Sequence, residues 1–308
     1  MRFAKALGFV IGFWAVTAAA EPRIVTSFPI LQSLTAAIAG GMPDTLAKGG
    51  SSPHTYAMRP SDAQALERAD VVVWIGPGYE GFLERPLAAL AGKARTITLA
   101  EAPGVTTRKA RAGGVWDSHD HGHGHSHSHA HGKRGADIDG HMFLDPRNAI
   151  AFARAIGTAL ADVDPANADR YRTNATALEA RLEALDAEMG ALLRPLAGRP
   201  FIVFHDSLQY LEARYGLTPA GSITVSPERR PSAQRLQRLR DRIARSGAIC
   251  VFAEPQFDSG LVRTVVEGTK ARTGTLDYVG AEIPPGPELY FTVMRGLAQD
   301  LSACLTRD

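Results

Sequence analysis

Seven of the ten histidines stand at alternate positions of one stretch, HDHGHGHSHSHAH, at residues 119–131. Imidazole is the commonest nitrogen ligand for Zn, Cu and Ni, so this stretch is expected to attract such metals. Its spacers are small and bury nothing, which predicts a mobile loop over about residues 115–137. A mobile loop binds metal loosely, whereas selective binding needs ligands on rigid elements. The stretch therefore predicts accessory metal ligands: His119, His121, His123, His125, His127, His129 and His131.

The three other histidines, His54, His141 and His205, stand in loops or at the ends of predicted elements. They occur in GGSSPHTYAMRPSD, in DIDGHMFLDP and directly after the apolar run FIVF. Functional residues concentrate at such positions. A lone histidine is more often a surface or core residue, but three neutral imidazoles with a water or a carboxylate form a tetrahedral zinc site. We therefore predict a metal site if the fold brings the three together.

Three carboxylates near predicted strand ends could complete or support this site: Asp206, Glu254 and Asp277. Asp277, in GTLDYVG, is a candidate fourth ligand. Asp206 directly follows His205 and could instead orient its ring from outside the coordination sphere. The alternative for each is an ordinary capping or solvated carboxylate.

Short apolar runs alternate with helical patterns in both halves of the chain, which predicts an α/β fold with parallel sheets. The predicted strands are RIVTSF (23–28), ADVVVWIG (69–76), TITLA (96–100), PFIVF (200–204), AICVFAE (248–254) and TGTLDYV (273–279). The predicted helices between them cover 29–40, 60–69, 207–216 and 232–247. Residues 101–140 are predicted to be loop. A ligand is expected at the carboxyl ends of the strands.

A long helix is predicted between the two halves. Apolar residues recur at steps of four and three from Tyr171 to Leu196, which gives one stripe along about six to seven turns. The predicted organisation is a signal segment at 1–20, one α/β lobe at 21–165, the linking helix at 166–196 and a second α/β lobe at 197–308.

The amino terminus and the charge balance bear on location and partners. Residues 1–20 combine a basic start, a short apolar run and three consecutive alanines at positions 18–20, which is typical of a cleavable secretory signal. Two of the 34 basic residues lie in this segment, which has no acidic residue, so the remainder balances the 32 acidic residues. This balance argues against a nucleic-acid partner.

In an exported protein the pair Cys250 and Cys304 indicates a disulfide. The alternative is that both are thiolate metal ligands, but the two cysteines lack the close spacing of zinc sites.

The chain resembles the periplasmic zinc-binding proteins of bacterial high-affinity zinc ABC importers, which belong to the metal-binding cluster of solute-binding proteins. The likeness covers nearly all of residues 22–308. The segments that carry it are GGSSPHTYAMRPSDAQALERADVVVWIGPGYEGFL, HMFLDP, FIVFHDSLQYLEARYGL, TVSPERRPSAQRL and GAICVFAEPQFDSGLVRTVVEGTKARTGTLDYVG.

This resemblance implies two α/β lobes, a long rigid helix and a metal site in the cleft between the lobes. It places the ligands on His54, His141 and His205 and implies the Cys250–Cys304 disulfide. Close relatives can carry a glutamate before the first histidine, where this chain has Pro53. The fourth ligand is therefore either water or Asp277.

Metal preference follows from the ligand types. Manganese-binding relatives have a carboxylate at the position of His205, and imidazole suits zinc whereas carboxylate oxygen suits manganese. The resemblance thus implies a monomeric periplasmic protein that captures Zn²⁺ and delivers it to an ABC permease in the inner membrane, without catalysis.

Two other functions are compatible with the residues. A zinc hydrolase also uses three histidines and an open position, with Asp206 or Glu254 as base, but the chain has neither H-E-x-x-H nor G-x-S-x-G. A copper- or nickel-sequestering protein could be built around residues 119–131 alone. That stretch could also be a low-complexity insert without a function.

Overall fold

The computed structural model of the protein describes residues 21–48, 50–111, 137–224 and 231–306. The predicted signal segment 1–20 and the histidine-rich stretch 119–131 lie outside these described residues. No helix in the described ranges combines the length and the apolar character that a membrane crossing requires.

The first half of the chain forms a sheet of short parallel strands in the order β2-β1-β3-β4. The strands are β1 (Ile24–Thr26), β2 (Asp44–Thr45), β3 (Val71–Trp74) and β4 (Arg95–Thr98). The helices of this half are α1 (Pro29–Ala39), α2 (Pro60–Arg68), α3 (Glu84–Leu90) and α4 (Pro146–Val163). Strand β3 is an unbroken apolar run that is buried throughout, as expected for an inner parallel strand covered on both faces.

The second half repeats this architecture, with parallel strands in the order β6-β5-β7-β8. The strands are β5 (Phe201–His205), β6 (Gly221–Thr224), β7 (Cys250–Ala253) and β8 (Arg272–Thr275). The helices that accompany them are α6 (Gln209–Tyr215), α7 (Ala233–Ser246), α8 (Gly260–Val266) and α9 (Leu289–Thr306). Ser232 caps α7 as predicted, because its side chain accepts a hydrogen bond from the backbone N–H of Arg235.

Helix α5 (Ala168–Leu193) lies between the two sheets in the chain and is followed by a 3-10 turn at Arg194–Leu196. The predicted stripe is buried from Tyr171 to Met189, but Leu193 rather than Leu192 continues it. A repeat of 3.5 residues drifts around a helix of 3.6 residues per turn, which explains the change. One apolar core runs from the first sheet along α5 into the second half. The lobe boundaries at 165/166 and 196/197 therefore stay a prediction.

The predicted strand over 273–279 is wrong at its carboxyl end. Strand β8 ends at Thr275, and Asp277 Oδ1 accepts hydrogen bonds from the backbone N–H groups of Gly280 (2.9 Å) and Ala281 (3.0 Å). Such side chain-to-backbone bonds compete with the sheet ladder and turn the chain away from it. Strands β2 and β6 are not predicted from the sequence. Strand β2 has only two residues, and β6, GSIT, contains only one large apolar residue.

The disulfide between Cys250 and Cys304 is confirmed. It joins the first residue of β7 to the last turns of α9, and so fastens the carboxyl-terminal helix to the second sheet.

The contact between α4 and α5 generates a prediction about stability. A Cβ atom added to Gly157 would lie 2.8 Å from the Cβ of Ala175, closer than real contacts permit, whereas one added to Gly190 would meet only the flexible side chain of Arg194 at 3.5 Å. Gly157→Ala is expected to lower the free energy of unfolding by about 1–2 kcal/mol, since overpacking outweighs the helix propensity of alanine. Gly190→Ala is the matched control and should raise it by roughly 0.5–1 kcal/mol. Urea unfolding monitored by circular dichroism measures both, and a Gly157→Ala variant as stable as the parent would contradict the close approach.

Candidate metal centre

The fold brings His54, His141 and His205 to one point. His54 lies in the turn before α2, His141 opens a short 3-10 helix before α4, and His205 is the last residue of β5. The Nε2 atom of His141 lies 3.1 Å from Nε2 of His54 and 3.2 Å from Nε2 of His205. Each ring offers one nitrogen, and the three nitrogens lie within 4.8 Å of one another. Two sheets, each contributing at its carboxyl-terminal side, therefore build one cluster.

The spacing of these nitrogens fits a tetrahedral metal ion. A Zn–N distance of about 2.0–2.1 Å places two ligand nitrogens about 3.3 Å apart. The separations of 3.1 and 3.2 Å are close to that value. Among the residues that the structure describes, this is the one group of three or more histidine, cysteine or carboxylate side chains with converging ligand atoms.

Two buried carboxylates orient two of the rings. Asp139 Oδ1 accepts hydrogen bonds from His141 Nδ1 (2.7 Å) and from the His141 backbone N–H (3.0 Å). Glu254 Oε1 does the same for His205, at 2.7 Å from Nδ1 and 3.3 Å from the backbone nitrogen. A ring that donates its Nδ1 proton keeps a lone pair on Nε2, and the carboxylate raises the basicity of that nitrogen. Both Nε2 atoms are thereby prepared as metal ligands.

The predicted role of Asp206 is wrong, and Glu254 takes it instead. Asp206 forms an ion pair with Arg111, with Nε and Oδ2 2.9 Å apart, and so it does not orient His205. Asp139 was missed by the sequence analysis. The signal that could have found it is the spacing D-x-H, because a carboxylate two residues before a histidine can fold back onto its Nδ1 atom.

Asp277 lies outside the converging group. Its Oδ1 atom is occupied by the two backbone N–H groups of the turn that follows β8, and its role as a fourth ligand stays a prediction. The next residue, Tyr278, reaches the site more directly, since its hydroxyl lies 3.5 Å from His205 Nε2.

Aromatic rings wall the cluster. The ring of Tyr79 packs edge-on against His54 and His141, with centroids 4.9 and 5.2 Å apart, and Tyr278 packs against His141 and His205 at 5.7 and 5.5 Å. Burial raises the pKa of both tyrosine hydroxyls well above 10, and nearby carboxylates add to the effect. Both hydroxyls are therefore protonated and neutral at physiological pH. His205 is 2% exposed and His141 5% exposed, so the site suits an ion better than an organic substrate.

His54 is half-buried and completes the cluster without a carboxylate partner of its own among the described hydrogen bonds. Removal of water from its ring, together with repulsion by His141 and His205, lowers its pKa well below 6.5. A neutral imidazole is the form that binds metal, so proton competition at this ring is weak near neutral pH.

Comparisons with known proteins point to one family. The family model described as zinc-uptake complex component A, periplasmic, matches residues 24–304. A high-affinity zinc uptake system protein ZnuA from Brucella suis biovar 1 is 43% identical over 325 residues, covering 98% of this chain and 97% of the relative. The protein of the same name from Yersinia pestis is 36% identical and covers 93% of this chain and 92% of the relative.

Solved structures agree with this family. A crystal structure of ZnuA superimposes with a TM-score of 0.76 at 28% identity and covers 93% of this chain and all of that one. A deletion mutant of ZnuA with zinc bound gives the same TM-score and identity, and covers 94% of this chain and 100% of its own.

The lowered pKa of His54 predicts that its ring stays neutral at pH 6 in the metal-free protein, where an ordinary histidine with a pKa of about 6.5 is mostly protonated. Because the unfolded chain takes up this proton more readily, His54 should also make folding stability fall as the pH drops through about 6.5. Long-range ¹H–¹⁵N NMR spectra report the ring state directly, with His54→Gln to assign the signal. A protonated His54 ring at pH 6 would contradict the described surroundings.

The carboxylate partners generate a second prediction. Glu254→Gln keeps the shape and an acceptor for His205 Nδ1 but removes the negative charge, so it should weaken Zn²⁺ binding by about 10- to 100-fold. Asp139→Asn should act similarly through His141. Glu179→Gln is the matched control, because Glu179 pairs with the exposed Arg154 on the outer faces of α4 and α5. Competition with a chromophoric chelator measures the three affinities, and an unchanged Glu254→Gln affinity would rule out the orienting role.

Proposed function

The chain belongs to the zinc-uptake complex component A family of periplasmic proteins, and from this we propose that it captures Zn²⁺ in the periplasm and delivers it to an ABC-type permease in the inner membrane. The observation in this chain that supports the proposal is the convergence of His54, His141 and His205 on one point. We propose these three side chains as the ligands of the transported ion.

Charge balance supports a divalent cation at this point. Three neutral imidazoles bring no charge, and an uncompensated ion is costly to bury. Asp139 and Glu254 stand one hydrogen bond behind two of the rings and together carry two negative charges. A doubly charged ion on the three Nε2 atoms is therefore neutralised locally, without a carboxylate in direct contact with it.

The donor set favours zinc over harder ions. Imidazole nitrogens suit Zn²⁺, whereas Mn²⁺ and Mg²⁺ prefer carboxylate, carbonyl or water oxygens. Cu²⁺ and Ni²⁺ bind imidazole as well or better, but Cu²⁺ and Ni²⁺ prefer square-planar or tetragonal arrangements. Three rings that approach from separate segments, with His141 fixed by Asp139 and His205 by Glu254, favour a tetrahedral ion instead. The fourth position is proposed to be filled by water or by Asp277.

We further propose that the protein is a carrier and does not catalyse a reaction. A zinc hydrolase needs a free general base beside the metal-bound water. The two carboxylates that could serve are engaged, since Glu254 accepts the Nδ1 proton of His205 and Asp206 pairs with Arg111. Hydrolysis of a model ester by the zinc-loaded protein, lost in His205→Ala, would revive the enzymatic alternative.

The remaining parts of the proposal rest on sequence. Residues 1–20 act as a cleavable export signal, and the protein works as a monomer in the periplasm. The seven histidines of residues 119–131 collect zinc weakly as accessory ligands and are not required for the tight site.

A competitive zinc titration of the wild type, a 119–131 deletion and His205→Ala tests the proposed site. The deletion should keep one tight site, and His205→Ala should lose it, because two imidazoles cannot replace three rigid ligands. The metal content of each purified variant is measured first, so that an ion already bound to the site is not mistaken for a loss of zinc binding. A deletion that loses the tight site while His205→Ala keeps it would assign binding to the histidine-rich stretch and refute the three-histidine site.

A further inference from the structure

Two chain segments beside the metal centre pair with each other and form what we name the strap, residues 108–111 and 137–139. Lys109 and Ile138 form an antiparallel bridge. The backbone N–H of Ala110 donates to the carbonyl of Asp137 at 2.9 Å, and that of Asp139 donates to the carbonyl of Arg108 at 2.9 Å. The strap leads directly into His141, so its position sets the position of that ring.

The strap belongs to the first half of the chain but is fastened to α6 of the second half. The Tyr210 hydroxyl donates to the carbonyl of Asp139 (2.8 Å) and accepts from the backbone N–H of Arg108 (2.8 Å). Gln209 Nε2 donates to the carbonyl of Lys109 (3.1 Å) and to Asp139 Oδ2 (3.2 Å). The carboxylate that orients His141 is thus itself held by the opposite lobe.

Arg111, the last residue of the first strap segment, joins the strap to the second half of the chain through ion pairs. Its guanidinium binds Asp206, which follows His205, through Nε at 2.9 Å and through Nη2. It also binds Glu212 on α6, with Nη1 2.8 Å from Oε2 and Nη2 3.1 Å from Oε1. The side chains of Asp206 and Glu212 are only 8% and 7% exposed. One arginine of the first lobe therefore spans two buried carboxylates of the second lobe, one of them next to a proposed ligand.

We propose that Arg111 is a positioning residue for zinc capture: it clamps the strap onto α6 and the end of β5, and thereby sets the distance between His141 and His205. This inference rests on the proposed three-histidine site. Arg111 binds Asp206 and Glu212, and it acts through these two carboxylates and the strap.

The electrostatics of the buried carboxylates explain why the guanidinium of Arg111 is needed to hold this arrangement. Burial raises the pKa of Glu212 to about 7 although Arg111 acts to lower it, and the charge of Asp206 raises it further. Without the guanidinium, Glu212 would therefore take up a proton at neutral pH, and Asp206 would be left buried without its charged partner, which is costly. The end of β5 and α6 would then draw away from the strap, and the three Nε2 atoms would lose the spacing that a tetrahedral ion requires.

Three variants separate this role from general stability. Arg111→Met removes the guanidinium but keeps an unbranched side chain, and Tyr210→Phe removes only the hydroxyl that joins the strap to α6. Arg154→Met is the matched control, because Arg154 pairs with Glu179 on the outside of the first lobe and is 62% exposed. Each protein is titrated with zinc against a competing chelator, melted without metal, and loaded with Co²⁺ for its visible absorption spectrum.

Arg111→Met and Tyr210→Phe should bind zinc roughly 2- to 30-fold more weakly than the wild type, as expected for residues that couple to a site without touching it. Their Co²⁺ spectra should change, because ligand-field bands report the geometry of the coordinating nitrogens. Arg154→Met should keep the wild-type affinity and spectrum.

A lower melting temperature with wild-type zinc affinity and a wild-type Co²⁺ spectrum in both strap variants would overturn the inference and leave the strap a purely structural feature. If Arg111→Met does not fold, Tyr210→Phe decides alone. His205→Ala is run beside them: if it keeps the tight site, the proposed three-histidine site fails, whereas loss in His205→Ala with no change in the strap variants refutes only the role of Arg111.

Discussion

Two buried carboxylate–imidazole hydrogen bonds, Asp139 with His141 and Glu254 with His205, are the interactions on which the proposed metal centre depends. Each fixes a proton on Nδ1 and turns a lone pair on Nε2 toward the same point. Because the two pairs stand on different halves of the chain, neither can define the site alone. The relative position of the two sheets must be held to a few tenths of an ångström for a tetrahedral ion to fit.

The rest of the fold supplies this rigidity. Helix α5 packs in the core that both halves share. Asp186, in the carboxyl-terminal half of α5, is buried and accepts hydrogen bonds from Arg147 at the start of α4 and from Arg214 and Tyr215 of α6. One carboxylate on α5 therefore joins a helix of each half, α4 and α6, to the linking helix. The strap ties the halves a second time, beside the histidines themselves.

The same arrangement explains why the site suits a carrier. A binding protein must desolvate an ion, neutralise its charge and hold it without giving it a reactive partner. The carboxylates that would neutralise the ion are hydrogen-bonded to the proposed ligand rings, and the tyrosine hydroxyls beside these rings stay protonated. Glu254, which could activate a bound water in an enzyme, is instead hydrogen-bonded to a proposed ligand ring.

The sequence by itself determined the parallel α/β architecture, the long helix and the disulfide, and it singled out His54, His141 and His205, whose side chains converge in the fold. Periodicity and end signals are local properties, and they suffice for elements such as β3, α5 and α7. The tertiary structure decided which groups support the histidines. Asp206 is adjacent to His205 in sequence, yet it faces Arg111, while Glu254 reaches His205 from the neighbouring strand β7. Such pairings depend on which strands lie side by side and on the direction in which their ends point. Neither property can be predicted from a local sequence pattern.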